Sequence, residues 1–117
     1  MQPDPSAFRE ADILAVYGTQ RICFQTAKRD GQDNQPVDAH HIMGRAGKKP
    51  ESRAIHSSIL NLAFIRRDIH TGPLRDDADQ RQVYLKIAHR NVVNAVGWGH
   101  YELRDEDRAF MMAYFAA

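Results

Sequence analysis

A single cysteine, Cys23, most limits how this chain can hold itself together. One thiol closes no internal disulfide, and it cannot build a four-cysteine zinc knuckle. The 117 residues must therefore be held by packing, and that length suits one domain, 1–117, with one modest core. Hydrophobic residues make up 43% of the chain, too many for a disordered one. No apolar run is long enough to cross a membrane, and the first residues carry no charged and then apolar leader. The expected setting is the cytoplasm, with no membrane partner. Any metal site has to draw on carboxylates and on the histidines, His40, His41, His56, His70, His89 and His100.

The net charge of +1 says little, but its distribution says more. Residues 44–75 hold Arg45, Lys48, Lys49, Arg53, Arg66, Arg67 and Arg75 against Glu51 and Asp68, while the stretches on either side are each slightly acidic. A local basic patch attracts phosphate even on a near-neutral molecule. A solvated surface loop explains the same charges equally well.

The pattern predicts an α+β domain. Asp4-Pro5 suits a helix start, with a helix from Pro5 to Tyr17 stopped by Gly18. Arg21–Ala27 and Gln35–His41 read as two strands that could pair as a hairpin around Asp30-Gly31. Residues 43–57 read as an exposed loop, and Asn61–Ile65 as a short apolar strand. Arg66–Thr71 fits one or two helical turns closed by Gly72-Pro73. Beyond that the chain reads as a helical extension, 76–117. Leu85, Ala88, Val92 and Val96 line one face of a helix from Ala78 to Val96, and Gly97-Trp98-Gly99 breaks it. Asp105 can cap a last helix with Phe110, Ala113 and Tyr114 as its apolar stripe. These helices complete the core or form an interface, so a homodimer through them is possible.

The stretch that carries chemistry is Val37-Asp-Ala-His-His-Ile42 followed by Asn61-Leu-Ala-Phe-Ile-Arg-Arg-Asp-Ile-His70. Hydrolysing a phosphodiester needs a water deprotonated, developing charge neutralised and a leaving oxygen stabilised. A neutral histidine accepts a proton near pH 7, and a divalent cation serves the other needs. Neighbouring residues on a strand point to opposite faces, so His40 and His41 share a site only where the strand ends or bends. Asp38 falls on the His40 face, as a ligand or as an acceptor orienting an imidazole.

This pattern resembles the His-Asn-His (HNH) endonuclease family, whose ββα-metal or His-Me finger core is a β-hairpin and a helix around one metal ion. The resemblance covers about residues 21–74, and Asn61-Leu-x-x-Ile fits the family's Asn-Leu-x-x-Leu segment. It implies His41 as general base, with Asn61 holding the loop and orienting His41. His40 and His70 would bind the metal, with Asp38 as a further candidate. It implies DNA, double-stranded or branched, as substrate, products with a 5′-phosphate and a 3′-hydroxyl, and the character of a phage or prophage accessory nuclease. Arg45, Lys48, Lys49, Arg53, Arg66 and Arg67 become candidate DNA contacts. The chain departs from many relatives in three ways. Where they carry a second Cys-x-x-Cys pair it has Arg66 and Ile69, so no structural zinc is expected. Leu74 stands where many have a further histidine. The loop 43–60 is long and basic.

Histidine ligands accept Zn²⁺, Ni²⁺ and Mn²⁺, and Mg²⁺ is compatible with water and phosphate completing its shell, so the metal stays open. The competing readings are a non-catalytic DNA-binding module with a degenerate site and a metal-binding or assembly protein. His56 is expected to be solvated, His89 and His100 structural, and Cys23 a small core residue.

Overall fold

The computed structural model describes residues 7–44, 54–70 and 78–115, and the side chains of residues 33, 70 and 78 lie outside that description. Strand β2 (Leu62–Arg66) forms one residue later than the sequence suggests. Leu62, Ala63, Phe64 and Ile65 are all buried, so the strand is covered on both faces. That is why its sequence is an unbroken apolar run and not an alternating one. Strand β1 (Val37–His41) pairs with it antiparallel, Val37 opposite Arg66 and His41 opposite Leu62. Backbone bonds extend the pair at both ends, from Ile42 N–H to Asn61 O at 2.8 Å and from Arg67 N–H to Pro36 O at 2.9 Å. Helix α2 (Arg67–His70) follows β2 directly.

The expected pairing of Arg21–Ala27 with Gln35–His41 does not occur. The partner of β1 is β2, across the segment 42–61. Residues 21–29 instead double back on themselves. Ile22 and Arg29 form an isolated bridge, Cys23 N–H donates to Lys28 O at 2.9 Å, and Ala27 N–H donates to Cys23 O at 2.9 Å. Ala27 takes a positive φ of 59° to close the turn. This knuckle lies along β2: Phe24 N–H donates to Phe64 O at 2.7 Å and Arg66 N–H to Cys23 Sγ at 3.3 Å. Cys23 is buried, in keeping with a small core residue.

Helix α1 (Glu10–Tyr17) starts later than expected, because Arg9 is extended. The proposed cap at Asp4-Pro5 lies outside the described residues. Glu10 and Asp12 complement the positive end of the helix dipole, and Gly18 ends it with φ at 71° and its N–H on Leu14 O. Helix α3 (Ala78–Gly97) buries Tyr84, Leu85, Ala88, Val92 and Ala95. Val96, expected on that face, is 38% exposed and lines the rim of an apolar groove with Val93, Leu103 and Met111. Gly99 closes α3: its N–H bonds Val96 O and the next N–H, of His100, bonds Ala95 O, a Schellman arrangement made possible by φ of 78°.

Helix α4 (Asp105–Tyr114) begins at Asp105 and is capped from inside by Asp107, whose carboxylate accepts Arg104 N–H at 2.8 Å. Its inward face is Asp107 and Phe110 with Tyr114 half-buried, while Ala113 is exposed. The core therefore centres on β2, with Ile13 of α1, the α3 stripe and Phe110 around it. Among the described residues the architecture is α+β, a two-stranded antiparallel sheet with helices packed about it. Among the described residues no helix is long and apolar enough to cross a membrane.

Candidate functional site

The strand register decides what His40 and His41 can face. Directly opposed residues of an antiparallel pair lie on one face, and neighbours alternate. Asp38 and His40 therefore share a face with Ile65 and Ala63, while His41 shares the other with Leu62. The ladder continues through Ile42, so no bend brings the two imidazoles onto one face within the strand. Both are half-buried, and His40 Nε2 is withdrawn from solvent. The His41 ring stacks on Phe8, centroids 4.1 Å apart and planes 18° from parallel. The segment leading into α1 thus covers one face of the proposed base.

Asp38 is gripped by a guanidinium. Arg67 Nε donates to Oδ2 at 3.1 Å and Nη2 to Oδ1 at 2.9 Å, the two-pronged geometry that arginine makes with carboxylates. Arg66 is held in the same way by Asp68. The hydrogen bonds to Asp38 raise the Arg67 pKa, and those from Arg66 lower that of Asp68. A phosphate reaching either arginine has to compete with a carboxylate.

Asn61 is wholly buried and all of its amide is used. Its Oδ1 accepts Met43 N–H at 2.7 Å, and its Nδ2 donates to Met43 O at 3.3 Å and to His56 O at 3.1 Å. Asn61 thereby ties Met43, two residues after His41, to His56. Burying an amide costs several kcal/mol unless its hydrogen bonds are replaced, and here they are.

Several polar residues of this end went unread in the sequence. His56, expected to be solvated, is buried, with Nε2 2.8 Å from Tyr114 Oη and its ring edge-on to Phe110. Ser58 caps the 3₁₀ turn Ile59–Asn61, its Oγ accepting Leu60 N–H at 3.1 Å and donating to Asp107 Oδ1 at 2.6 Å. Asp107, fully buried, also accepts from Tyr101 Oη and Arg104 N–H. Burial first, and then the Asp107 bond, push the Tyr101 phenol up. On the far side Arg104 is bound to the buried Asp12, with Nε 2.9 Å from Oδ1. The signal available beforehand was Asp107 itself, three residues after Arg104 at a helix start. Its Ser58 partner lies too far along the chain to be read from a local pattern.

Arg45, Lys48, Lys49 and Arg53 lie outside the described residues, as do Gly72-Pro73 and Leu74. His70 ends α2, but its side chain is not described. Of the proposed metal donors the described side chains supply His40, an imidazole suited to Zn²⁺, Ni²⁺ or Mn²⁺, and Asp38, already committed to Arg67. Among the described residues no group of three His, Cys, Asp or Glu side chains is arranged to hold a metal ion. At the knuckle, burial raises the Cys23 thiol pKa, but hydrogen bonds from Thr26, Arg66 and Gln25 outweigh it and hold it below the ordinary value. His89 packs beside Phe115 and His100 beside Trp98. The chain matches no family model, no curated protein and no solved structure.

Proposed function

We propose that the protein is a metal-dependent DNA endonuclease of the HNH type, with its site at the His41–Asn61 end of the sheet. The observation that carries this reading is the Asn61 clamp: a wholly buried amide that holds Met43 and His56 together beside His41. The chain order supports it too, since His40 and His41 end one strand, Asn61 stands just before its partner, and a short helix ending at His70 follows that partner at once. This is the order of parts in the ββα-metal core.

His41 takes a proton from the attacking water while an oxygen–phosphorus bond forms. The phosphorus–O3′ bond breaks and O3′ takes a proton from solvent water, leaving a 5′-phosphate and a 3′-hydroxyl. The register puts His41 on one face of β1 and His40 on the other, so for both to act on one phosphodiester the substrate would have to lie across the end of the strand. His40 and His70 would hold one divalent ion (Mg, Mn, Ni or Zn), which when bound supplies neutralisation of charge on the phosphate and leaving oxygen. Arg67 keeps Asp38 as an outer partner. Asn61 ties Met43 to His56, and Arg45, Lys48, Lys49 and Arg53, which lie between those two in the sequence, would contact the DNA backbone.

A second reading, a non-catalytic DNA-binding or assembly module, draws on the Phe8–His41 stack, which packs the imidazole as a core aromatic would be packed. The test is supercoiled-plasmid cleavage by metal-stripped protein with each metal added back. Nicking or linearisation that depends on the metal supports the nuclease. A gel shift without cleavage under any metal selects the second reading.

A further inference from the structure

We propose that helix α4 is the brace that sets the Asn61 clamp, and through it the end of β1 that carries His40 and His41. Its kinetic consequence rests on the nuclease reading; its structural part does not. Two connections reach from α4 to residues 56–61. Asp107 Oδ1 accepts from Ser58 Oγ at 2.6 Å, and that oxygen in turn accepts Leu60 N–H. The Ser58 carbonyl accepts Asn61 N–H at 2.9 Å. Two turns further along α4, Tyr114 Oη lies 2.8 Å from His56 Nε2, and the carbonyl of His56 receives the Asn61 side chain. Backbone and side chain of Asn61 are thus both placed by residues that α4 holds.

The chemistry of this contact argues for geometry over adhesion. Apolar side chains would attach a helix at less cost, since a buried carboxylate is dear to desolvate and well-packed apolar replacements of buried charged groups are often neutral or stabilising. Here a carboxylate, a serine and a histidine are buried together, and each bond has a direction. Directional bonds fix a turn where packing alone lets it slide. Ser58, Asp107, His56 and Tyr114 are therefore positioning residues.

The test uses the full chain as wild type, Ser58→Ala, Ser58→Thr and Tyr114→Phe, with amide hydrogen exchange read by NMR and plasmid cleavage on the same samples. Ser58→Ala should speed exchange at Met43 N–H about tenfold, while Leu85 and Val92 of α3 keep their protection. The cleavage rate at saturating DNA should fall by a similar factor with half-saturation unchanged. Ser58→Thr, which keeps the hydroxyl, should restore both, and Tyr114→Phe should give a smaller change in the same direction. Unchanged exchange at Met43 in Ser58→Ala overturns the brace. So does protection lost equally across α3, or a threonine variant no better than alanine. If the wild type cuts nothing, only the nuclease reading fails, and the exchange data still decide whether α4 sets the clamp.

Discussion

The two ends of the small sheet are held by different physics. At the Val37–Arg66 end the charged side chains form ion pairs near the surface, Arg67 with Asp38 and Arg66 with Asp68, beside part-buried bonds from Val37 N–H to Asp30 and from Arg66 N–H to Cys23. At the His41–Leu62 end the polar contacts are buried hydrogen bonds, Asn61 to Met43 and His56, and Asp107 to Ser58. Exposed pairs are screened and cost side-chain entropy, so they contribute little. Buried bonds contribute modestly when made but cost heavily when one partner is lost. The proposed site sits at the end where a displaced atom is expensive, which suits chemistry that tolerates little misplacement.

The largest effect should come from Asp107→Ala. It leaves the Ser58 and Tyr101 hydroxyls and Arg104 N–H without their acceptor, at about 3–5 kcal/mol by analogy with broken buried polar networks. The melting temperature should drop by more than about 10 °C, and a drop of only a degree or two would dissolve the contrast between the ends. Next comes Asn61→Ala, which strips partners from Met43 and from the His56 carbonyl and should cost about 2–3 kcal/mol in urea unfolding. A wild-type midpoint in that variant would deny the clamp.

A smaller effect concerns alkali. The folded Tyr101 phenol has its pKa raised above the ordinary 10.0, first by burial and then by Asp107. A group raised on folding stabilises fully below its unfolded pKa and loses that contribution as pH climbs through the window above it. Stability should hold to about pH 10 and then fall, and Tyr101→Phe should flatten the fall. An equal fall in the phenylalanine variant would assign it elsewhere. The smallest effect belongs to Asp38→Asn, which should leave the unfolding midpoint unmoved and metal affinity by calorimetry nearly so. A clear loss of affinity would make Asp38 a ligand, with Arg67 its surrogate partner.

Much of this was legible locally. The apolar run at 61–65, the short helix after it and the long helix before Gly97-Trp98-Gly99 follow from period and punctuation, and the structure forms them within a residue or two. Pairing was not. Residues 21–27 carry a strand-like composition, yet bonds from Cys23 and Lys28 fold them into a knuckle beside β2. The helix start moved because Arg9 is extended, and Ala95 replaced Val96 on the buried face of α3. At the site, alternation along β1 was readable, and so was a structural duty for Asn61. The bonds from Ser58 to Asp107 and from His56 to Tyr114 were not, because they join residues 49 and 58 positions apart.

The most direct measurement is plasmid cleavage by wild type and His41→Ala side by side, metal-stripped and then reloaded, with metal binding measured on both. Metal-dependent cutting is expected of the wild type and none of the variant, although the variant still binds metal and DNA. Equal cutting by both proteins would contradict His41 as the base, and no cutting by either under any metal would contradict the nuclease itself.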